Sequence, residues 1–314
     1  MQTYGAPVAA ALLADSLLGE PPGTVHPVVL MGRVISAFER RTLTLKNTRS
    51  RKLAGLLLAT TLPTLSFALA RLALLLAPPR LRWPLEILLL STTLSMRGLA
   101  HAALAVEREL ERGDLAAART RAGEIVGRDT EDLSPSEVSR AVVESVAENA
   151  SDGVVAPMLY GILWGTPGAL AYKAVNTLDS MVGHPHPPYE DLGWASARLD
   201  DLANLLPARL TALATASVAG RGRRAATLAA AYRYGPLTRS PNAGWAEAAF
   251  AGALGLRLGG PNFYRGILRP GPVLGDGHSP AAADVRRAVR LMRRACLLLA
   301  GLALVTSFAG RSGG

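Results

Sequence analysis

The chain has 314 residues, 49% of them hydrophobic, and a mean hydropathy of +0.23. It carries 34 basic and 24 acidic residues, for a formal net charge of +10, and a single cysteine, Cys296. One cysteine excludes an intrachain disulfide and a cysteine metal site. The basic residues cluster in loops between apolar runs and no nucleic-acid motif accompanies them, which argues against a nucleic-acid partner and for loop charge that sets membrane topology.

Long uncharged runs predict helices that cross a membrane. A bilayer core of about 30 Å requires roughly 20 apolar residues in a helix. The uncharged runs at residues 53–70 and 153–172 qualify as spans, and 295–310 is a shorter candidate. Residues 83–100 are a further candidate, with Glu86 near one end and Arg97 near the other. Residues 6–18 and 205–220 are short and contain charge. Because no alternating strand pattern is convincing, the sequence predicts an all-α, polytopic integral membrane protein with about four to six spans.

The charge of the loops predicts how the chain is oriented. Lys and Arg concentrate at residues 33–52, 221–224 and 286–294. By the positive-inside rule these segments face the cytoplasm, so we expect a multi-pass protein of the cell (inner) membrane. The chain is predicted to form one membrane-embedded domain over residues 1–314, in which an amphipathic helical segment at about 101–150 lies on the cytoplasmic side.

A helix can be placed at the end of that amphipathic segment. Ser134, Pro135 and Glu137 form a capping box with proline at the first helical position. Acidic and basic side chains then recur every four residues, at Arg140, Glu144, Glu148 and Asp152. This stripe is either a functional face or a solvated face with an Arg140–Glu144 ion pair. It ends against an uncharged run at 153–172, and ionisable groups at membrane depth favour a functional site.

Further polar side chains follow that uncharged run. Lys173, Asn176 and Asp179 share one helical face. In the next helix, Asp200, Asp201 and Asn204 lie opposite a leucine face. Carboxylate and amide oxygens suit Mg²⁺, but the same spacing also describes an ordinary polar face. Arg198 and Arg209 are able to grip phosphate or to pair with the aspartates.

Two other motifs stand in a structural context that does not fit the function their pattern suggests. Residues 220–225 fit G-x-G-x-x-A, but they follow an alanine-rich helical run rather than a strand, so a dinucleotide-binding turn is not predicted. His184 and His186 stand in a proline-rich segment that is too stiff for a helical metal pair, which favours an extended loop.

Five long blocks carry a specific resemblance. They are DSLLGEPPGTVHPVVLMGR, VVESVAENASDGVVAPMLYG, YKAVNTLDSMVGH, ARLDDLANLLPARLTAL and SPNAGWAEAAFAGALGLRLGG, in this order from Asp15 to Gly260. Together they resemble the adenosylcobinamide-phosphate synthase (CobD/CbiB) family of cobalamin biosynthesis. The resemblance implies a polytopic inner-membrane enzyme with a polar cavity facing the cytoplasm. It implies an ATP-dependent ligase that joins the propionate carboxylate of adenosylcobyric acid to aminopropanol or its O-phosphate, with Mg²⁺ as cofactor.

The resemblance and this chemistry together suggest roles for the block residues. Metal-side carboxylates would be Asp152, Asp200 and Asp201. Phosphate-side cations would be Lys173, Arg198 and Arg209. The base would be Glu144 or Glu148, and Asp179 joins the catalytic set. Substrate would be oriented by Asn149, Asn176, Asn204, Ser240 and Asn242. The expected partners are the corrinoid and amine substrates, the bilayer and other membrane enzymes of cobalamin assembly.

Two alternatives from other classes stay open at the level of the sequence. A transporter also places charges beside broken spans, although no inverted repeat is evident. A membrane signalling protein similar to the AmpE proteins, which are distantly related to this family, would not require such dense polar blocks. An ATP-dependent assay with adenosylcobyric acid separates the enzyme from both.

Overall fold

The structure is a computed structural model that describes residues 4–19 and 26–312, with side chains described as far as residue 307. The chain divides into two compact units. The first comprises the described residues within Met1–Ser95, Ala156–Asn204 and Ala300–Gly314, and the second comprises Met96–Val155 and Leu205–Leu299. Each unit is therefore assembled from separate stretches of the chain, and the single-domain organisation predicted from the sequence stays a prediction.

The described residues are mostly helical, in agreement with the predicted all-α class. The α-helices are α1 (Gly5–Leu18), α2 (Pro27–Thr42), α3 (Thr48–Leu76), α4 (Pro79–Ser91), α5 (Met96–Glu111), α6 (Leu115–Gly123), α7 (Pro135–Ala150), α8 (Ala156–Val182), α9 (Trp194–Ala203), α10 (Leu205–Val218), α11 (Arg224–Tyr234), α12 (Ala243–Leu254) and α13 (Ala282–Ser312). A π-helical turn occupies Ser151–Val155, and a 3₁₀ turn occupies Gly235–Leu237.

Three helical stretches in the described part of the chain are long and apolar enough to cross a membrane. They are Thr48–Leu76, Pro79–Glu111 and Pro135–Val182. Two shorter apolar helices are α1 and α10. The predicted runs at 53–70 and 83–100 fall inside the first two stretches. The run at 295–310 falls in α13, but its last residues lie outside those with described side chains.

The helix α3 has the surface expected of a lipid-facing span. It begins after Asn47, whose side chain accepts from the amide of Arg49, and it ends at Leu76, shortly before Pro78 and Pro79. Its leucines are more exposed than those of a water-soluble core helix, with Leu57 at 56% and Leu69 at 55%. Exposed leucines along a 29-residue helix are stable in a membrane, because the acyl chains of the lipid shield them from water.

The short helix α9 is arranged in the same way. Asp200 and the C-cap residue Asn204 are buried, at 9% and 1% exposed, while Leu202 is 66% exposed. A helix at the surface of a water-soluble protein has the opposite distribution. At Asp200, Asn204 and Leu202 the first unit therefore turns polar side chains inward and a leucine outward, as expected of a surface that meets lipid.

The second unit contains short strands that the sequence analysis did not predict. Leu258–Gly259 (β1) pairs antiparallel with Val273–Leu274 (β4), and Asn262–Tyr264 (β2) pairs with Ile267–Arg269 (β3). Strands of two or three residues are too short to show an alternating pattern. The β2–β3 turn has positive φ at Arg265 and Gly266, and the carboxylate of Asp129 accepts from both of their amides, at 2.8 and 2.7 Å.

The contact between Gly55 and Leu192 provides a test of packing in the first unit. A Cβ atom at Gly55 would lie 2.0 Å from the backbone oxygen of Leu192. We expect Gly55→Ala to force the two segments apart and to lower stability by about 1–3 kcal/mol. The matched control is Gly301→Ala in α13, where a Cβ atom meets nothing within 4 Å. It should be neutral or stabilising by up to about 1 kcal/mol. Thermal unfolding midpoints in detergent measure both, and equal midpoints would contradict the prediction.

Candidate functional site

A buried polar cluster links α8 and α9 in the first unit. The amide nitrogen of Asn204 donates to Asp200 Oδ2 at 2.9 Å, and Asn204 Oδ1 accepts from the hydroxyl of Tyr172 at 2.8 Å. On α8, Lys173 Nζ donates to Asn176 Oδ1 at 3.3 Å. We call these five residues the Asp200 cluster. Four of them, all except Tyr172, were selected from the sequence, and the structure brings them together.

Asp200 is the electrostatic centre of this cluster. Burial raises its pKa to about 6, and the amides of Asn204 and Asn176 oppose that rise. The nearby charge of Asp201 raises the pKa further, whereas Lys173 lowers it. Asp200 Oδ1 is buried, and no group in the described part of the chain donates a hydrogen bond to it. A buried carboxylate oxygen with no protein donor is available to a ligand or a cation.

The metal-site hypothesis is restricted by helical geometry. Asp200 and Asp201 are neighbours on α9, so their side chains point about 100° apart around the helix axis and do not face one ligand together. Burial raises the pKa of Asp201, and the charge of Arg198 opposes this. Over the described residues, no group of three or more histidine, cysteine, aspartate or glutamate side chains is arranged to hold a metal ion.

Asp179 lies on the last turns of α8. A Cβ atom at Gly183 would meet Asp179 Oδ1 at 2.0 Å, so the carboxylate packs directly against the end of the helix. His184 and His186 follow in a non-helical loop, as predicted, with ring centroids 5.6 Å apart. This placement gives Asp179 a defined position but does not assign its role.

In the second unit, Glu144 is the centre of a buried ion-pair network. Its carboxylate pairs with Arg128 and, at 3.3 Å, with Arg140, and it accepts from the amide of Gly259 at 2.6 Å. Arg128 and Arg140 also donate to Asn262 Oδ1 at the base of the β2–β3 hairpin. The sequence-based alternative of an Arg140–Glu144 pair is therefore correct, but the pair is buried rather than solvated. Because three donors occupy Glu144, it is poorly placed to act as a free base.

Glu247 is a candidate residue that the sequence analysis missed. It lies on α12, which packs against α7, and it forms no hydrogen bond with any described residue. Burial raises its pKa well above the usual value, and the charges of Glu144 and Glu148 raise it further against the opposing effect of Arg128 and Arg140. The available signal was its position as the one charged residue of an otherwise apolar twelve-residue helix.

Three further residues selected from the sequence, Glu148, Asn149 and Asp152, lie at the end of α7 and in the π-helical turn that follows it. Asn149 donates to the backbone oxygen of Ser145 at 2.9 Å, and Glu148 is exposed. Asp152 falls in the π-helical turn, a local distortion that is common at functional sites. The predicted capping box at Ser134 and Glu137 is present.

A third polar group joins α10 to the start of α12. Arg209 donates to Asn242 Oδ1 at 3.0 Å, and its guanidinium lies 4.5 Å from the ring centroid of Trp245. Ser240 Oγ accepts from the amides of Asn242 and Ala243, at 3.2 and 3.3 Å. Arg209 and Asn242, which the sequence placed in different roles, are thus oriented together, while the hydroxyl of Ser240 shapes the turn before α12. The single polar cavity expected from the sequence would need residues of both units, and it stays a prediction.

Comparison with known proteins gives one consistent result. The family model described as CobD/Cbib protein matches residues 8–292. The chain is 44% identical to "Cobalamin biosynthesis protein CobD" of Klebsiella pneumoniae over 289 residues, which cover 90% of this chain and 91% of that protein. It is 42% identical to "Cobalamin biosynthesis protein CbiB" of Salmonella typhimurium, covering 96% and 97%. It is also 42% identical to CobD of Synechocystis, covering 93% and 89%. No solved structure matches the chain significantly.

The buried carboxylate of Asp200 predicts a pH dependence of stability. Its folded-state pKa of about 6 lies above the ordinary value of 3.8, so the folded protein binds this proton more tightly than the unfolded chain does. The resulting stability is complete below about pH 4 and is lost as the pH rises through about 6, by roughly 3 kcal/mol. Asp200→Asn should remove this loss. Unfolding midpoints from pH 4 to 7.5 test it, with exposed Glu190→Gln as control, and parallel profiles for wild type and Asp200→Asn would contradict it.

Proposed function

The chain belongs to the CobD/CbiB family, and we propose that it is an adenosylcobinamide-phosphate synthase of cobalamin biosynthesis. The observation that carries this proposal is the match over residues 8–292 together with relatives that align along nearly their whole length. The reaction is amide formation between the propionate carboxylate of adenosylcobyric acid and aminopropanol or its O-phosphate.

The chemistry explains why ATP is proposed as co-substrate. A carboxylate is a poor acyl donor because it is anionic and resonance-stabilised. Transfer of the γ-phosphoryl group to the carboxylate oxygen gives an acyl phosphate and ADP. The amine then attacks the acyl carbon, the carbon–oxygen bond to phosphate breaks, and inorganic phosphate leaves. Cations near the transferring group and a base for the ammonium proton are the protein's contribution.

The Asp200 cluster supplies groups suited to the phosphoryl-transfer step. Lys173 is a cation fixed beside Asn176, and a fixed cation stabilises the charge that develops on a transferring phosphoryl group. Mg²⁺ commonly binds one or two carboxylates together with substrate phosphate oxygens, and Asp200 Oδ1 is a buried oxygen with no described protein donor. Asp200 fits that limited role, and Asp152 stays a further candidate, whereas Asp201 points away from Asp200 around α9 and is not proposed as a ligand of the same ion. When bound, Mg²⁺ would neutralise phosphate charge.

The second unit supplies candidates for amine activation. The base was assigned from the sequence to Glu144 or Glu148. Because Glu144 is engaged by two arginines and a backbone amide, we assign the role to Glu148 or Glu247. A raised pKa makes Glu247 the stronger proton acceptor once it is ionised. Arg209 and Asn242, held together beside Trp245, are proposed to orient a substrate, as are Asn149, Arg198 and Asn204.

The ligation reaction should require nucleotide and should depend on Lys173. In detergent-purified protein, we expect amide product only when ATP, adenosylcobyric acid and the amine are all present. Lys173→Met should lower kcat by roughly 10²- to 10³-fold, because a fixed charge near the phosphoryl group is lost. Lys46→Met, at an exposed position before α3, is the matched control and should leave the rate unchanged. Amide product formed without nucleotide turnover would reject the acyl-phosphate route. Absence of product in wild type would leave the transporter and AmpE-like alternatives.

The membrane location predicts both retention and orientation. Because three helical stretches are long and apolar enough to span a bilayer, the protein should stay in the membrane pellet after carbonate extraction. The basic segment at residues 40–52 should face the cytoplasm, since Arg40, Arg41, Lys46, Arg49, Arg51 and Lys52 oppose translocation. A reporter fused within this segment should be active only on the cytoplasmic side. Release by carbonate would contradict the membrane location, and an external reporter would contradict the orientation.

A further inference from the structure

The side-chain amide of Asn204 is held in one orientation by its two neighbours. Its Oδ1 accepts from the hydroxyl of Tyr172 at 2.8 Å, and its Nδ2 donates to Asp200 Oδ2 at 2.9 Å. The reversed amide would place Oδ1 against Asp200 Oδ2, where two acceptors would meet. Because Asn204 is buried, bulk water does not replace either partner. With Asp200 ionised, the observed orientation is therefore the one that satisfies all three groups.

Asp200 and Asn204 are also joined through the backbone. The amide N–H of Asn204, the C-cap residue of α9, donates to the carbonyl oxygen of Asp200 at 2.9 Å. The backbone and side-chain hydrogen bonds thus both close the last turn of α9. Rotation of the Asp200 carboxylate would break the bond at Oδ2. Its other oxygen, Oδ1, which has no donor among the described residues, is consequently held in a fixed direction.

A second tyrosine of α8 contacts the same end of α9. Tyr160 and Tyr172 stack with ring centroids 5.0 Å apart and planes inclined by 10°, and the hydroxyl of Tyr160 donates to the backbone oxygen of Ala203 at 2.9 Å. The two hydroxyls therefore contact consecutive residues, Ala203 and Asn204. A backbone carbonyl has no donor side to exchange, whereas a side-chain amide can reverse. Loss of the Tyr160 hydroxyl thus weakens packing alone, and loss of the Tyr172 hydroxyl also releases the amide.

We propose that Tyr172 is a positioning residue for Asp200 and acts through the side-chain amide of Asn204. The Tyr172 hydroxyl fixes the amide, the amide fixes Asp200 Oδ2, and Oδ1 is thereby presented to the Mg²⁺ that accompanies the nucleotide phosphates. Tyr172 needs no contact of its own with substrate or cation. This inference rests on the proposed role of Asp200 in the phosphoryl-transfer step.

A purely structural role for Tyr172 makes a different prediction. The hydroxyl would then only help to hold α8 to α9, as the hydroxyl of Tyr160 does. Tyr172→Phe and Tyr160→Phe would both lower the unfolding midpoint, because each removes one hydrogen bond between the two helices. Neither variant would change how strongly Mg²⁺ supports nucleotide binding. The two roles are therefore separated by measuring stability and binding on the same preparations.

The test is equilibrium binding of a non-hydrolysable ATP analogue to the full chain in detergent, without corrinoid or amine, once with MgCl₂ and once with EDTA. The ratio of the two affinities reports the contribution of Mg²⁺. In Tyr172→Phe this ratio should fall roughly tenfold, the effect of losing one charge-assisted hydrogen bond at the carboxylate. Tyr160→Phe, which removes the same group from the neighbouring stacked ring, is the matched control and should keep the wild-type ratio.

A double-mutant comparison tests the route through Asn204. Asn204→Ala should lower the affinity ratio by itself, and Tyr172→Phe should have no further effect in that background. A further fall of similar size in the double variant would show that Tyr172 acts by another route, and it would overturn the proposal. If the unfolding midpoint shows that Asn204→Ala is not folded, the comparison of Tyr172→Phe with Tyr160→Phe decides.

The outcomes separate this role from the proposed function. An unchanged ratio in Tyr172→Phe overturns the positioning role even if ATP-dependent ligation is observed. An equal fall in Tyr160→Phe also overturns it, because general loosening of α9 would then explain both. A wild type that does not bind the analogue, or binds it independently of Mg²⁺, rejects the role whatever product is formed. A fall confined to Tyr172→Phe supports the role even if the amide product proves to be a different one.

Discussion

The burial of Asp200 is the constraint on which the arrangement of the first unit depends. A carboxylate with a raised pKa is stable in the interior only if neighbouring groups hydrogen-bond it, and Asn204 and Tyr172 form that chain. The same constraint explains why α9 exposes Leu202 while burying its polar face. In lipid, polar side chains find partners only inside the protein, so inward-facing polar residues and outward-facing leucines are two results of one requirement.

Glu144 and Asp200, the two buried carboxylates among the predicted site residues, are stabilised by different partners. Glu144 has two guanidinium partners and a backbone amide, so its charge is compensated by the protein itself. Asp200 has one hydrogen-bonded oxygen and one oxygen without a described donor. Removal of one of these arginines would leave the buried charge of Glu144 only partly compensated, which is unfavourable. Glu144 therefore holds α7 to the hairpin segment, whereas one carboxylate oxygen of Asp200 has no donor among the described residues.

Sequence periodicity predicted features that lie within one helix. The capping box at Ser134 and the shared helical face of Asp200 and Asn204 follow from spacing alone. Spacing does not determine which helices meet, so the pairing of Glu144 with Arg128 and the proximity of Glu247 to α7 were not predicted. The β2–β3 hairpin was missed for a related reason, because Asp129 fixes its turn from 136 positions away in the chain.

The distribution of chemistry over these polar groups argues for separate tasks. Phosphoryl transfer to a carboxylate needs fixed cations and a carboxylate that can meet a metal ion, and the proposed mechanism assigns these two roles to Lys173 and Asp200. Amide formation needs a base that is not already paired, which describes Glu247 better than Glu144. A carboxyl group whose pKa is raised by burial lies in an environment that opposes its ionisation at neutral pH. Such an environment destabilises the fold, and carboxylates with perturbed pKa values are enriched at functional sites, which is why Asp200 and Glu247 are the candidates that the proposed mechanism uses.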